Sequence, residues 1–172
     1  MTRLSKPFTL SLLWLWAGAA IMFGAITAPA LFNPNVLDNR ELSGAIAGAI
    51  LKRFFLASYY VLGACALISL LGWLADLKAR RKMALLFALS LLLFGINMVQ
   101  DQWIRTRLVR IKLEIKNAPD EKSRNRLRTQ FSDWHEASVR LFGGALVVTL
   151  LGAGWVSLTD DDTRKSRGKP QA

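Results

Sequence analysis

The residue types that do chemistry are sparse in this chain, and the few present converge on one stretch. His135 is the only histidine, and so the only side chain whose ordinary pKa sits near neutrality. Suppose the chain folds back on itself about Ala118. Residue numbers facing each other across that turn then add to about 236, which sets His135 opposite Asp101, with Gln100 and Trp103 nearby. A carboxylate beside an imidazole holds one tautomer and favours the protonated ring. Two readings of this constellation stay open. It is a protonatable or ligand-contacting site, or it is a polar clasp that fixes the register of two helices. Asn97 lies one turn earlier, polar within an apolar stretch, where such a residue glues helices together.

Other chemistries are excluded residue by residue. Cys65 is the only cysteine, so neither an internal disulfide nor a zinc site is available. One His and one Cys in different segments do not make a metal centre. The sequence has no phosphate loop, no nucleophile elbow and no paired carboxylates inside an apolar run. A proton-coupled carrier usually keeps an ionisable group at mid-membrane, and here every carboxylate stands at an edge or in a connection. No catalytic residue, metal ligand or cofactor is therefore expected.

The elements that must position these residues follow from charge and hydropathy. The chain has 172 residues, 52% of them apolar and 20% charged, with a net charge of +11. Its mean hydropathy is +0.28, too high for a disordered chain. Residues 7–37, 54–75, 83–100 and 141–159 contain no Asp, Glu, Lys or Arg. Roughly 20 apolar residues cross a bilayer core as a helix. The pattern predicts an all-α, four-helix transmembrane bundle in one domain, residues 1–158, with spans at about 8–28, 54–75, 83–99 and 141–158. Arg3, Lys6 and Ala28-Pro29-Ala30 imitate a signal peptide, but the apolar run exceeds a signal core of about 7–15 residues. It reads as a retained first span, ended by Pro29 and Pro34.

Between the first two spans, Asp38 and Glu41 have capping-box spacing and open a helix over 38–53. That helix either enters span 2 directly or lies in the interface. Within it, Gly44 and Gly48 form a small-xxx-small seam for packing or for homodimerisation. Beyond span 3, Ile104, Leu108, Ile111 and Ile115 make an amphipathic stripe. Leu127, Phe131, Trp134, Ser138 and Leu141 make a second. The two stripes predict that helices 3 and 4 extend past the membrane as an antiparallel hairpin over 101–140. Residues 159–172 are polar and read as a disordered tail. Lys and Arg beside apolar spans point to anionic headgroups rather than to nucleic acid. The raw count of Lys and Arg, ten on the side of the termini and thirteen on the other, favours termini outside. The short basic turn Lys78–Lys82 and the basic tail instead favour termini on the cytoplasmic side of a bacterial inner membrane, which is the expectation adopted.

Three segments carry a family resemblance. They are Trp16-Ala17-Gly18 through Ala28-Pro29-Ala30-Leu31-Phe32 with Ala45 and Gly48, then Asn97 with Trp103, then Phe131-Ser132-Asp133-Trp134-His135-Glu136-Ala137-Ser138. Together they resemble the transmembrane protein 205-like family, also catalogued as domain of unknown function 4149. The likeness covers about residues 10–157. It implies a four-span integral membrane protein of undefined biochemical role, and marks Phe131, Trp134, His135 and Ser138 as its signature. Glu136, Phe142 and the missing proline between Asn97 and Ala118 depart from the family pattern.

The expectation from sequence is thus a non-enzymatic multi-pass membrane protein acting through lipids, a protein partner or a second copy of itself. The alternatives are a haem- or metal-binding membrane oxidoreductase using His135, and a small-molecule transporter.

Overall fold

A computed structural model describes the backbone of residues 2–36, 39–75 and 80–167. Every regular element in it is helical. In chain order these are α1 (Thr2–Ile21), a π-helical segment (Met22–Thr27), α2 (Ala28–Leu31), α3 (Arg40–Ala75), α4 (Arg80–Met98), a second π-helical segment (Val99–Arg105), α5 (Thr106–Lys116) and α6 (Glu121–Arg167). Four continuous helical stretches are long and apolar enough to cross a membrane: Leu4–Leu31, Leu42–Ala75, Arg80–Lys116 and Glu121–Thr159.

Their outward faces identify the solvent. Leu67, Leu71, Leu74, Leu151 and Leu158 are all more than half exposed. Contiguous apolar surface on that scale is not left bare to water; against hydrocarbon it costs nothing. The protein is an integral, multi-pass membrane protein. Its inward faces pack a narrow core of Leu13, Leu62, Met83, Leu86, Leu93 and Val156. The ring of Phe54 meets Trp16, Phe23 and Phe142 at the same seam. Several buried hydroxyls are satisfied along their own helices, whereas the Ser69 hydroxyl is buried without a partner among the described residues. Thr9, Ser90 and Thr149 each donate to the carbonyl four residues back, at 2.9, 2.8 and 2.7 Å. Trp16 Nε1 donates to Ser58 Oγ at 2.9 Å and ties α1 to α3.

The structure decides the element boundaries in three places. Pro29 does not end the first span. Ahead of it the helix widens, and the Ala28 N–H bonds the Phe23 carbonyl five residues back. A π turn of this kind absorbs the proline ring and its missing donor, so the helix runs on to Leu31. Second, the pre-span helix enters span 2 directly, one of the two placements expected, and together they form one helix of 36 residues. Its cap is Asn39, whose Oδ1 accepts the Leu42 N–H at 3.1 Å; Asp38 lies outside the described residues. Third, α6 continues to Arg167, where a disordered tail was expected from Thr159. No residue that breaks a helix occurs before Gly168 and Pro170. Lys78, in the basic turn, lies outside the described residues.

The extended hairpin is present. The helix from Arg80 to Lys116 has 37 residues, about 55 Å at 1.5 Å per residue, against a hydrocarbon core of about 30 Å. The turn falls at 117–120. Asp120 caps α6: its Oδ1 accepts the Ser123 N–H at 2.7 Å and its Oδ2 the Ser123 hydroxyl at 2.9 Å. Those two bonds hold the Asp120 carboxyl below its ordinary value.

Two predictions follow from this architecture. Because the folded-state pKa of Asp120 is depressed, its cap is fully formed above the ordinary carboxylate range and is lost as pH falls through the lowered value. Amide exchange at Ser123 and Arg124, normalised for intrinsic rate, should therefore accelerate at acid pH, and Asp120→Ala should show that acceleration already at neutrality. Leu86, fully buried, should lose ~2–5 kcal/mol on truncation to Ala, read from thermal unfolding in detergent. Leu91→Ala, on the lipid-facing side, should change stability little.

Candidate functional site

Polar side chains gather where the second π segment meets the ends of the apolar spans. Gln100, Asp101 and Ile104 are the buried residues of Val99–Arg105. The wider turn aims adjacent residues at different neighbours. Gln100 faces α6: its Nε2 donates to the Ser138 carbonyl at 2.7 Å, and the Ser138 hydroxyl donates back to Gln100 Oε1 at 2.8 Å. Asp101 faces α3: Tyr59 Oη donates to Asp101 Oδ2 at 3.3 Å. Gln102 Nε2 donates to the same oxygen at 3.1 Å. Arg105 Nε donates to Asp101 Oδ1 at 2.6 Å, the charge-assisted member of the set. One turn back, Asn97 Nδ2 donates to the Phe55 carbonyl at 3.3 Å. α3, α4–α5 and α6 are thereby joined at one level.

The sequence-predicted residues divide at this point. Asn97, Gln100, Asp101 and Ser138 come together. His135 does not join them. Gln100 pairs with Ser138, two positions further along α6 than the expected register gives for a turn about Ala118. That shift carries the imidazole past Asp101, and the carboxylate takes Arg105, Tyr59 and Gln102 instead. His135 is exposed and stacks on Phe131, one turn earlier on α6, with ring centroids 6.1 Å apart and planes 8° apart. Trp134 receives Arg107 over its ring at 5.9 Å, and Trp103 is 76% exposed. These indoles mark the depth of the interface. Gly48 has open space where a Cβ would stand, and Gly44 faces the Lys112 ammonium. Within one copy the glycine pair is therefore not a helix–helix seam.

Three participants, Arg105, Tyr59 and Gln102, were not read from the sequence. Arg105 stands four residues after Asp101, the spacing at which helical ion pairs form, so its signal was present. Tyr59 carries no such signal: its role depends on the α3–α4 register, which no local pattern encodes. Among the described residues no group of three or more His, Cys, Asp or Glu side chains converges.

This geometry spans the part of the chain that a known family shares. The family model described as Domain of unknown function (DUF4149) matches residues 11–117, well over half the chain. The chain belongs to the DUF4149 family. No curated protein and no solved structure matches it. In this DUF4149 member the matched residues run from the middle of α1 through α5, and so contain Asn97, Gln100, Asp101, Arg105 and Tyr59. The match ends before Phe131, Trp134, His135 and Ser138. The three-helix junction is thus built mainly from family-matched sequence, with Ser138 supplied from outside it.

The contact set predicts the coupling between these residues. Asp101→Ala and Arg105→Ala should be non-additive in thermal unfolding, by ~0.5–3 kcal/mol, as contacting residues are. Asp101→Ala combined with His135→Ala should be additive within about 0.5 kcal/mol.

Proposed function

We propose that the protein is non-enzymatic and acts by contact, with the projecting α5–α6 hairpin as the docking surface for an acidic protein partner. The observation that supports this reading is a group of uncommitted cations near the hairpin tip. Glu114 is taken by Arg110, and Glu121 by Arg124 and Arg128. Lys112, Lys116, Lys122 and Arg126 are exposed and have no ion pair among the described residues. Distance decides between a protein and the protein's own bilayer. α5 rises roughly 20 Å from Trp103 to Lys116 at ~1.5 Å per residue. The Debye length at physiological ionic strength is about 8 Å. Tip cations are screened from headgroups at the Trp103 level, whereas Lys52, Arg53 and Arg140 lie close enough to serve as lipid anchors. The basic residues Arg80, Arg81 and Lys82 at the far end support cytoplasmic termini in a bacterial inner membrane, with the hairpin on the other side.

Photo-crosslinking in cells from positions 126 and 128 tests this reading. The expected product is a discrete protein adduct, weakened by raised salt and lost when Lys112, Lys116 and Lys122 are changed to Gln. Adducts with lipid alone, or with nothing but water, would overturn it.

A further inference from the structure

Two hollows on the α4–α6 face meet end to end. The first is an apolar cleft of about 480 Å³ between α4 and α6, lined by Leu85, Ala88, Leu92, Val148 and Leu151. It follows α4 for two turns, about 10 Å at 1.5 Å per residue. The second, about 210 Å³, is lined by Arg81, Lys82, Leu85, Trp155 and Thr159. Leu85 belongs to both, so the apolar cleft opens directly onto a basic and aromatic end. That end carries what an interfacial polar group needs. Lys82 Nζ is engaged, donating to the Thr159 carbonyl at 3.1 Å. Arg81 is exposed and has no ion pair among the described residues. Its guanidinium offers a planar fork of donors suited to phosphate. Trp155 is 69% exposed, an indole placed at headgroup depth.

We propose that this composite cleft is a binding site for one anionic phospholipid, with the phosphate held by Arg81 and an acyl chain lying along Leu85, Ala88 and Leu92. The occupant follows from the page in two steps. The cleft opens onto the bilayer, so its apolar part faces acyl chains and not water. The cation stands at one end only, which matches a molecule charged at one end only. Asp160–Asp162 follow Thr159 in the sequence, so the contact relies on the fork geometry of Arg81 rather than on bulk positive charge. The larger hollow between α1 and α3, about 750 Å³ and lined by Leu4, Pro7, Phe8, Leu71 and Gly72 among others, has no cationic residue in its wall. It is the internal contrast: chain-sized, but with nothing to select a headgroup.

The experiment is lipid retention by the full chain. The protein is reconstituted in equimolar phosphatidylglycerol and phosphatidylcholine vesicles, extracted in mild detergent, and its bound lipid read by native mass spectrometry. The expected result is one preferentially retained phosphatidylglycerol. Arg81→Gln should reduce that preference about fivefold, the size of one basic contact with an anionic headgroup, and Arg81→Lys should recover part of it. Ala88→Phe, which fills the apolar cleft from an exposed position, should lower retention with Arg81 intact. Equal retention of the two lipids by the unaltered protein would overturn the proposal. So would a phosphatidylglycerol preference that survives Arg81→Gln. A preference lost with Arg81→Gln but untouched by Ala88→Phe would overturn the cleft as the acyl site.

Discussion

Hydrocarbon offers no hydrogen bonds, and every feature of this protein answers to that. A backbone N–H or carbonyl left unpaired in a bilayer core costs several kcal/mol. Four long helices are the direct consequence, and the π segments are permitted because they keep backbone groups paired while changing register. Buried polar side chains follow the same rule, the Ser69 hydroxyl excepted. The buried Thr9, Ser90 and Thr149 bond back to their own helices, and Asn97 reaches across to a carbonyl of α3. Apolar burial, which drives folding in water, is nearly neutral here, since lipid tails are as apolar as leucine. Helix association must then come from close packing and from bonds between helices.

That shifts the weight onto the junction at Gln100 and Asp101. It holds the ionised pair of Asp101 with Arg105, Arg105 being one-third exposed and Asp101 nearly covered. A pair so placed pays little desolvation on the arginine side while remaining shielded from full solvent screening on the other. The junction sits where the apolar runs end, and the hairpin begins directly above it. Below it the helices are held by shape. Above it the Ile104, Leu108, Ile111 and Ile115 stripe can again use water to drive its packing against α6. The junction lies between the two solvents, where the hairpin leaves the membrane.

Most of the architecture was legible because membrane solvation writes it into composition. Uncharged runs mark spans, and a period of four and three residues marks the hairpin faces. What was illegible depended on helix registers. The expected partner of Asp101 was wrong by a small offset in the α5–α6 pairing, enough to exchange an imidazole for the Ser138 and Gln100 pair and leave the carboxylate to its own helix and α3. Pro29 misled for a similar reason. A proline ends a helix only if the bonding register ahead of it cannot widen, and nothing in Met22–Thr27 announces a π turn. Asn39, as suited to an N-cap as an aspartate, accepts the Leu42 N–H at the start of α3.

Charge placement remains the feature that fold alone does not demand. An extended hairpin needs solubility, and exposed pairs such as Arg110–Glu114 and Arg140–Glu136 supply it with balanced charge. Balanced pairs would have sufficed along its whole length. Instead cations outnumber Glu114, Asp120 and Glu121 near the tip, and Lys112, Lys116, Lys122 and Arg126 have no ion pair there among the described residues. Repulsion among them costs free energy in the isolated protein, modest because water and salt screen it. The same electrostatics favours an acidic surface that can neutralise several of them at once. The ion pairs Arg110–Glu114 and Arg140–Glu136 lie along the hairpin, and the excess of cations toward its tip is what the proposed acidic partner would neutralise.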